Sequence, residues 1–301
     1  MKTILANYIS KKISKDKKAE KSILQAILGL ITYLSIDDDL ILNFIEDAEN
    51  DNIFSSLDFI NGGNWCDSLV DKKYLPFMKE LFQCRPIGLG TPNAACGEGE
   101  LMLILSSPQI TRPRQNDIMI GKKKYNLKDT SPRIFSEITG KDLNKKLIKT
   151  CEENGFQPNV YNSINTVQLV NKNYVENHWN KQFENSTVEN VKKLLSVFLI
   201  SLFPEKKIET KKIDEILNNV LKNNLLVWDK WIKELIIFIY KNGVEKNENL
   251  VLMEVNGNVK SLPSDQNIFF EKVMNNQIIF VGEFFRMNQK FKTGLYLNYV
   301  N

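Results

Sequence analysis

The sequence predicts an α/β fold: a central mixed sheet flanked by helices, with a helical N-terminal part and a C-terminal region of helices and β-hairpins. Three observations predict it. Apolar residues recur at helical spacing between residues 22 and 84 and again between 187 and 242. Between these stretches lies a short strand–turn–strand pattern, residues 117–128, centred on Gly121-Lys122. The chain then returns to strand-like texture at 250–255, 277–285 and 294–300.

The elements follow in order. A lysine-rich stretch, 11–21, runs into a helix at 22–34. Asp37-Asp38-Asp39 caps a second helix through residue 47, because carboxylates favour a helix N-terminus. Asn61-Gly62-Gly63-Asn64 is a loop, and 74–84 is a helix. From Arg85-Pro86 onward, Gly88, Gly90 and Pro92 enforce irregular backbone. Gly97-Glu98-Gly99-Glu100 then opens a short apolar helix that Pro108 ends. Helices are expected at 141–153, with Leu143, Leu147 and Ile148 apolar, and at 188–203, stopped by Pro204. Two more follow at 213–221 and 225–240. Asn256-Gly257 suits a hairpin turn. This order suggests three regions: helical 1–85, an α/β core at 86–185, and a helical and β region at 186–301 that packs on the same core.

Composition bounds the function. At 301 residues, 43% hydrophobic and 25% charged, the chain can bury a large core, which excludes a disordered class. A net charge of +4 permits a nucleic-acid partner without demanding one. Cys66, Cys84, Cys96 and Cys151 form no CxxC, and His178 is the sole histidine, so a structural zinc site is not expected. Such scattered thiols read as reduced core residues of a cytosolic protein. Met1-Lys2-Thr3-Ile4 does not open a signal-peptide pattern, and the apolar run at 23–36 is too short for a bilayer. A soluble, cytoplasmic protein without a membrane partner is expected. The P-loop pattern is absent, and the Gly88-x-Gly90 and Gly97-x-Gly99 pairs follow no strand that would make them a dinucleotide loop.

The hairpin carries the chemistry. With Gly121-Lys122 as its turn, Ile120 faces Lys123, Met119 faces Lys124, Ile118 faces Tyr125 and Asp117 faces Asn126. Alternation then gathers Asp117, Asn126 and Lys128 on one face and Ile118, Tyr125 and Leu127 on the other. A carboxylate beside an amide oxygen suits Mg²⁺, which prefers oxygen ligands. A neighbouring lysine can orient water or offset charge on phosphate. Glu100, on the preceding helix, offers a further carboxylate.

Gly97-Glu98-Gly99-Glu100-x-x-Leu103, then Asp117, then Asn126-Leu127-Lys128, resembles the PD-(D/E)XK nuclease superfamily, which includes many restriction endonucleases and repair nucleases. The match spans about a tenth of the chain. The resemblance implies a restriction-endonuclease-like fold with a catalytic core at 86–185. It implies a Mg²⁺-dependent endodeoxyribonuclease, foremost a type II restriction endonuclease, acting on double-stranded DNA and forming a homodimer if its target is palindromic. It also implies Glu100 as helix carboxylate, Asp117 as principal metal ligand, Asn126 as neutral ligand and Lys128 as catalytic lysine. Two positions depart from the pattern. Asn116 replaces a frequent proline, and Asn126 replaces the usual acidic residue, which weakens the metal site. Asp129 and Glu137 are alternative carboxylates.

Arg112, Arg114, Gln115 and Asn116 precede Asp117 and are candidate base readers, since arginine matches guanine and Gln or Asn matches adenine. Arg133 is a candidate phosphate contact, and Arg286, Asn288, Gln289 and Lys290 are a second candidate reading turn. Lysines 122–124 and 141–149 are credited as lying near the site, whereas 11–21 and 206–212 read as solvated faces. His178 receives no role, and Trp228 and Trp231 are read as core. The rival reading keeps the fold and loses catalysis: a DNA-binding or structural protein, such as a phage virion component, favoured by Asn126.

Overall fold

The computed structural model of the chain describes residues 1–13, 17–86, 99–112, 117–128, 133–156, 164–244, 248–263, 265–281 and 292–299. The fold is α/β. Backbone contacts divide the chain into two units: residues 1–132 with 246–264, and residues 133–245 with 265–301.

The first unit opens with α1 (Lys2–Ile13), α2 (Lys17–Tyr33), α3 (Asp38–Glu49) and α4 (Leu75–Gln83). Asp37 caps α3, its carboxylate accepting from the Leu40 amide at 2.6 Å. The seven-residue α5 (Glu100–Ser106) is buried along its whole length, polar ends included. It needs no polar face, because α1, α3 and α4 surround it. At its C-terminal end the Tyr8 hydroxyl donates to the Leu105 carbonyl at 2.5 Å and the Lys12 ammonium to the Ser107 carbonyl at 2.6 Å. Burial lowers the Lys12 pKa, which the charges of Asp51 and Glu49 oppose.

The unit's sheet has six strands: β1 (Gly63–Asn64), β2 (Ile110–Thr111), β3 (Ile118–Ile120), β4 (Lys123–Lys128), β8 (Glu248–Met253) and β9 (Asn258–Ser261), ordered β1-β9-β8-β4-β3-β2. It is mixed, because β4 and β8 run parallel while the other pairs are antiparallel. Parallel neighbours need a long crossover, and here the connection holds residues 133–245 of the second unit. One sheet face packs on the helices: Ile118, Tyr125, Leu127, Val251, Met253 and Val259 share a hydrophobic cluster with residues of α1 to α5. The β8–β9 turn is pinned by Trp65, whose ring N–H donates to the Glu254 carbonyl and whose amide donates to the Gly257 carbonyl, both at 2.9 Å.

The second unit holds a three-stranded antiparallel sheet, ordered β10-β11-β5, from β5 (Arg133–Thr139), β10 (Ile278–Phe280) and β11 (Lys292–Tyr299). Its longer helices are α6 (Gly140–Glu153), α7 (Val188–Leu202), α8 (Thr210–Val220), α9 (Trp228–Gly243) and α10 (Gln266–Met274). A small hairpin of β6 (Leu221–Lys222) and β7 (Leu225–Leu226) joins α8 to α9. Trp231 is fully buried and Trp228 partly, their ring N–H groups donating to the Leu169 and Val170 carbonyls. Among the described residues no helix is long and apolar enough to cross a membrane.

These units divide the chain differently from the expected boundaries at 85 and 185. Among the described residues, one hydrophobic cluster holds residues of α1 to α5 and of the hairpin. Residues 133–185 belong to the second unit, and the β8–β9 hairpin returns to the first. Linear texture cannot show such a return, because strand pairing joins residues far apart in sequence. Cys66, Cys84 and Cys151 are free thiols, and Cys96 lies outside the described residues.

Candidate active site

Gly99 shapes the entry to the site. It takes a left-handed φ of 72°, and its amide donates to the Phe82 carbonyl at 2.8 Å. That turn starts α5 at Glu100, whose side chain is 5% exposed. A carboxylate so deeply placed requires a charged partner. Arg112 supplies one: its Nε lies 2.8 Å from Glu100 Oε1. The Arg112 side chain is 31% exposed, so the pair has one buried and one accessible member.

Strand register connects this pair to the hairpin. Ile110 pairs with Ile120 and Thr111 with Met119, and Arg112 is the residue that follows β2, toward the Ile118 end of β3. Ile118 pairs with Tyr125, Met119 with Lys124 and Ile120 with Lys123, in the register expected for a Gly121-Lys122 turn. Asp117 immediately precedes Ile118. Asn126 immediately follows Tyr125 and pairs with Leu250 of β8. Arg112, Asp117 and Asn126 therefore stand at one end of the sheet, the end away from the turn. Lys128 ends β4 there, its backbone in register with Leu252.

Asp117 and Asn126 are both half-buried. One Asp117 oxygen, Oδ2, accepts from the Leu127 amide at 2.7 Å. Leu127 lies beyond the last β3–β4 pair, so the side chain carries the hydrogen-bond ladder past the end of β3.

The oxygen-only set of Glu100, Asp117 and Asn126 matches a hard divalent cation in its donor chemistry. It is short in charge, with two carboxylates and one amide. Consistent with this, no group of three His, Cys, Asp or Glu side chains among the described residues is arranged to hold a metal.

The remaining sequence candidates divide clearly. Arg114, Gln115, Asn116, Asp129, Arg286, Asn288, Gln289 and Lys290 lie outside the described residues. Arg133 opens β5 in the second unit, its backbone paired with Tyr296. Glu137, also on β5, keeps Oε2 buried without a hydrogen-bond partner. Lys122 and Lys123 lie at the turn, the far end of β4 from Asn126 and Lys128. At about 3.3 Å per residue, that is about 17 Å along the strand from Lys128. Those two are therefore not beside the site, which corrects the reading for Lys122 and Lys123, whereas Lys124 is two residues from Asn126 on β4; residues 141–149 form part of α6, in the other unit.

Sequence reasoning missed two features. It placed Glu100 and Arg112 in separate roles, as metal carboxylate and base reader, without pairing them. It also missed β2, the two-residue strand that brings them together. Two residues are too few to show a strand period. The pairing had one visible trace: a glutamate opening an otherwise apolar helix needs a cation somewhere. No family model, curated protein or solved structure matches this chain.

Proposed function

We propose that the first unit is a Mg²⁺-dependent DNA phosphodiesterase of the PD-(D/E)XK pattern, acting as an endonuclease, with type II restriction as its biological setting. The observation that carries this reading is the strand register. It pairs Ile118 with Tyr125, so Asp117 and Asn126 are the next residues of their strands at the end away from the turn, and Arg112, just past β2, is ion-paired with Glu100. The mixed character of the sheet agrees with the resemblance.

Glu100, Asp117 and Asn126 would hold the ion. A bound Mg²⁺ supplies Lewis-acid polarisation of a phosphate oxygen and a more acidic water. The chain's own residues do the rest. Asp117, anchored on the Leu127 amide, keeps a carboxylate fixed at the sheet end. Asn126 adds an oxygen without adding charge. Lys128 orients the attacking water and offsets charge that builds on the phosphate. A homodimer would cut both strands of a palindromic target.

Plasmid nicking with Mg²⁺ tests the reading. Wild type nicks supercoiled DNA; Asp117→Ala and Lys128→Ala each reduce the rate by about 10²–10³-fold. Absence of metal-dependent cleavage on any DNA substrate favours the second reading, a DNA-binding or structural protein that keeps the fold without catalysis. Two observations favour that alternative: the neutral Asn126 and the guanidinium already seated on Glu100.

A further inference from the structure

We propose that Arg112 is a built-in substitute for the catalytic cation: its guanidinium occupies Glu100 in the ion-free protein, and a divalent ion must displace it to reach that carboxylate. This inference rests on the nuclease reading and adds a control to the same centre.

The geometry carries the argument. Glu100 Oε1 lies 2.8 Å from Arg112 Nε, which is direct charge-assisted contact. A divalent ion on the same oxygen would stand within a few ångströms of the guanidinium, where like charges in a poorly solvated site repel strongly. On that oxygen, one of the two must leave. Glu100 has little room to do so, because it belongs to a fully buried helix and is itself 5% exposed. Arg112 follows a two-residue edge strand and is 31% exposed, so its long side chain can turn to solvent. Movement is therefore the route by which the competition is relieved. Oxygen sites bind divalent ions more tightly as their negative charge rises. Withdrawing Arg112 raises that charge by one unit, whatever else surrounds the pair.

The test is titration of the intact chain with Mn²⁺ in the absence of DNA, followed by calorimetry and by thermal unfolding. Arg112→Met keeps bulk and removes charge. It is expected to bind Mn²⁺ about tenfold more tightly than wild type and to gain a larger rise in Tm on adding the ion. Arg112→Lys, which keeps the charge, stays close to wild type. Glu100→Gln combined with Arg112→Met loses the gain. If Mn²⁺ binding depends on Asp117 but is unchanged or weaker in Arg112→Met, the proposal fails while the nuclease reading stands. If neither wild type nor Arg112→Met binds Mn²⁺, both fail. Should Arg112→Met not fold without metal, circular dichroism decides: recovery of the folded signal with Mn²⁺ supports the proposal, and no recovery overturns it.

Discussion

Asp117 performs a structural task as well as the proposed chemical one. Its Oδ2 satisfies the Leu127 amide past the end of β3. Asp117→Ala removes this hydrogen bond to the Leu127 amide, a loss of about 1–3 kcal/mol. Asp117→Asn keeps an oxygen acceptor and removes the charge. Urea unfolding should therefore place Asp117→Asn near wild type and Asp117→Ala well below it, while both nick DNA about 10²–10³-fold more slowly than wild type. Equal stabilities would show that the Leu127 contact contributes nothing. The residue types at Glu100, Asp117, Asn126 and Lys128 were legible because each stands at a recognisable spacing. The Glu100–Arg112 partnership was not, since it depends on a turn of chain between two elements.

Among the elements, α5 shows how one glycine can set a site. Gly99 combines a left-handed backbone with close packing: a Cβ there would meet the Phe82 ring at 3.0 Å. That ring stacks on Trp65, with centroids 6.0 Å apart, so it cannot yield cheaply. Gly155 provides an internal control, with a φ of 69° and nothing within 4 Å of its added Cβ. Gly155→Ala should cost the left-handed penalty alone, about 1–2 kcal/mol. Gly99→Ala should cost more and also reduce cleavage, because Glu100 is the next residue. Comparable losses of Tm would show that the Phe82 contact gives way. Amphipathic spacing made most helices legible. The N-terminal extent of α2 was not, since Lys17 and Lys18 join a helix whose apolar pattern begins later. Strands β1, β2 and β5 were equally hidden. Short or unpatterned strands are selected by their partners, here β9, β3 and β11.

The whole molecule responds to pH through its buried groups. Cys151 on α6 is fully buried, and burial, with the charge of Glu152 adding, pushes its thiol up to about 12. The unfolded chain releases that proton near the ordinary thiol value of 9.0, before the folded chain does. The folded state then holds the extra proton, so stability present below that value is lost as pH rises above it. Urea midpoints should fall between about pH 8 and about pH 10, and fall less in Cys151→Ala. An identical fall in both proteins would assign the effect elsewhere. Cys66, Cys84 and the tyrosines Tyr8, Tyr74 and Tyr125 are raised as well, each chiefly by burial, and shift stability in the same sense at alkaline pH.

By itself the sequence determined the α/β class, the amphipathic helices, the Gly121-Lys122 hairpin and its register. These depend on spacing and turn chemistry within a few residues. Only the tertiary structure decided that β8 lies parallel to β4 across a long insertion, that the units are discontinuous, and that Arg112 sits on Glu100. Those outcomes depend on which distant surfaces bury one another and which buried charge must be neutralised, and a linear pattern holds no record of either choice.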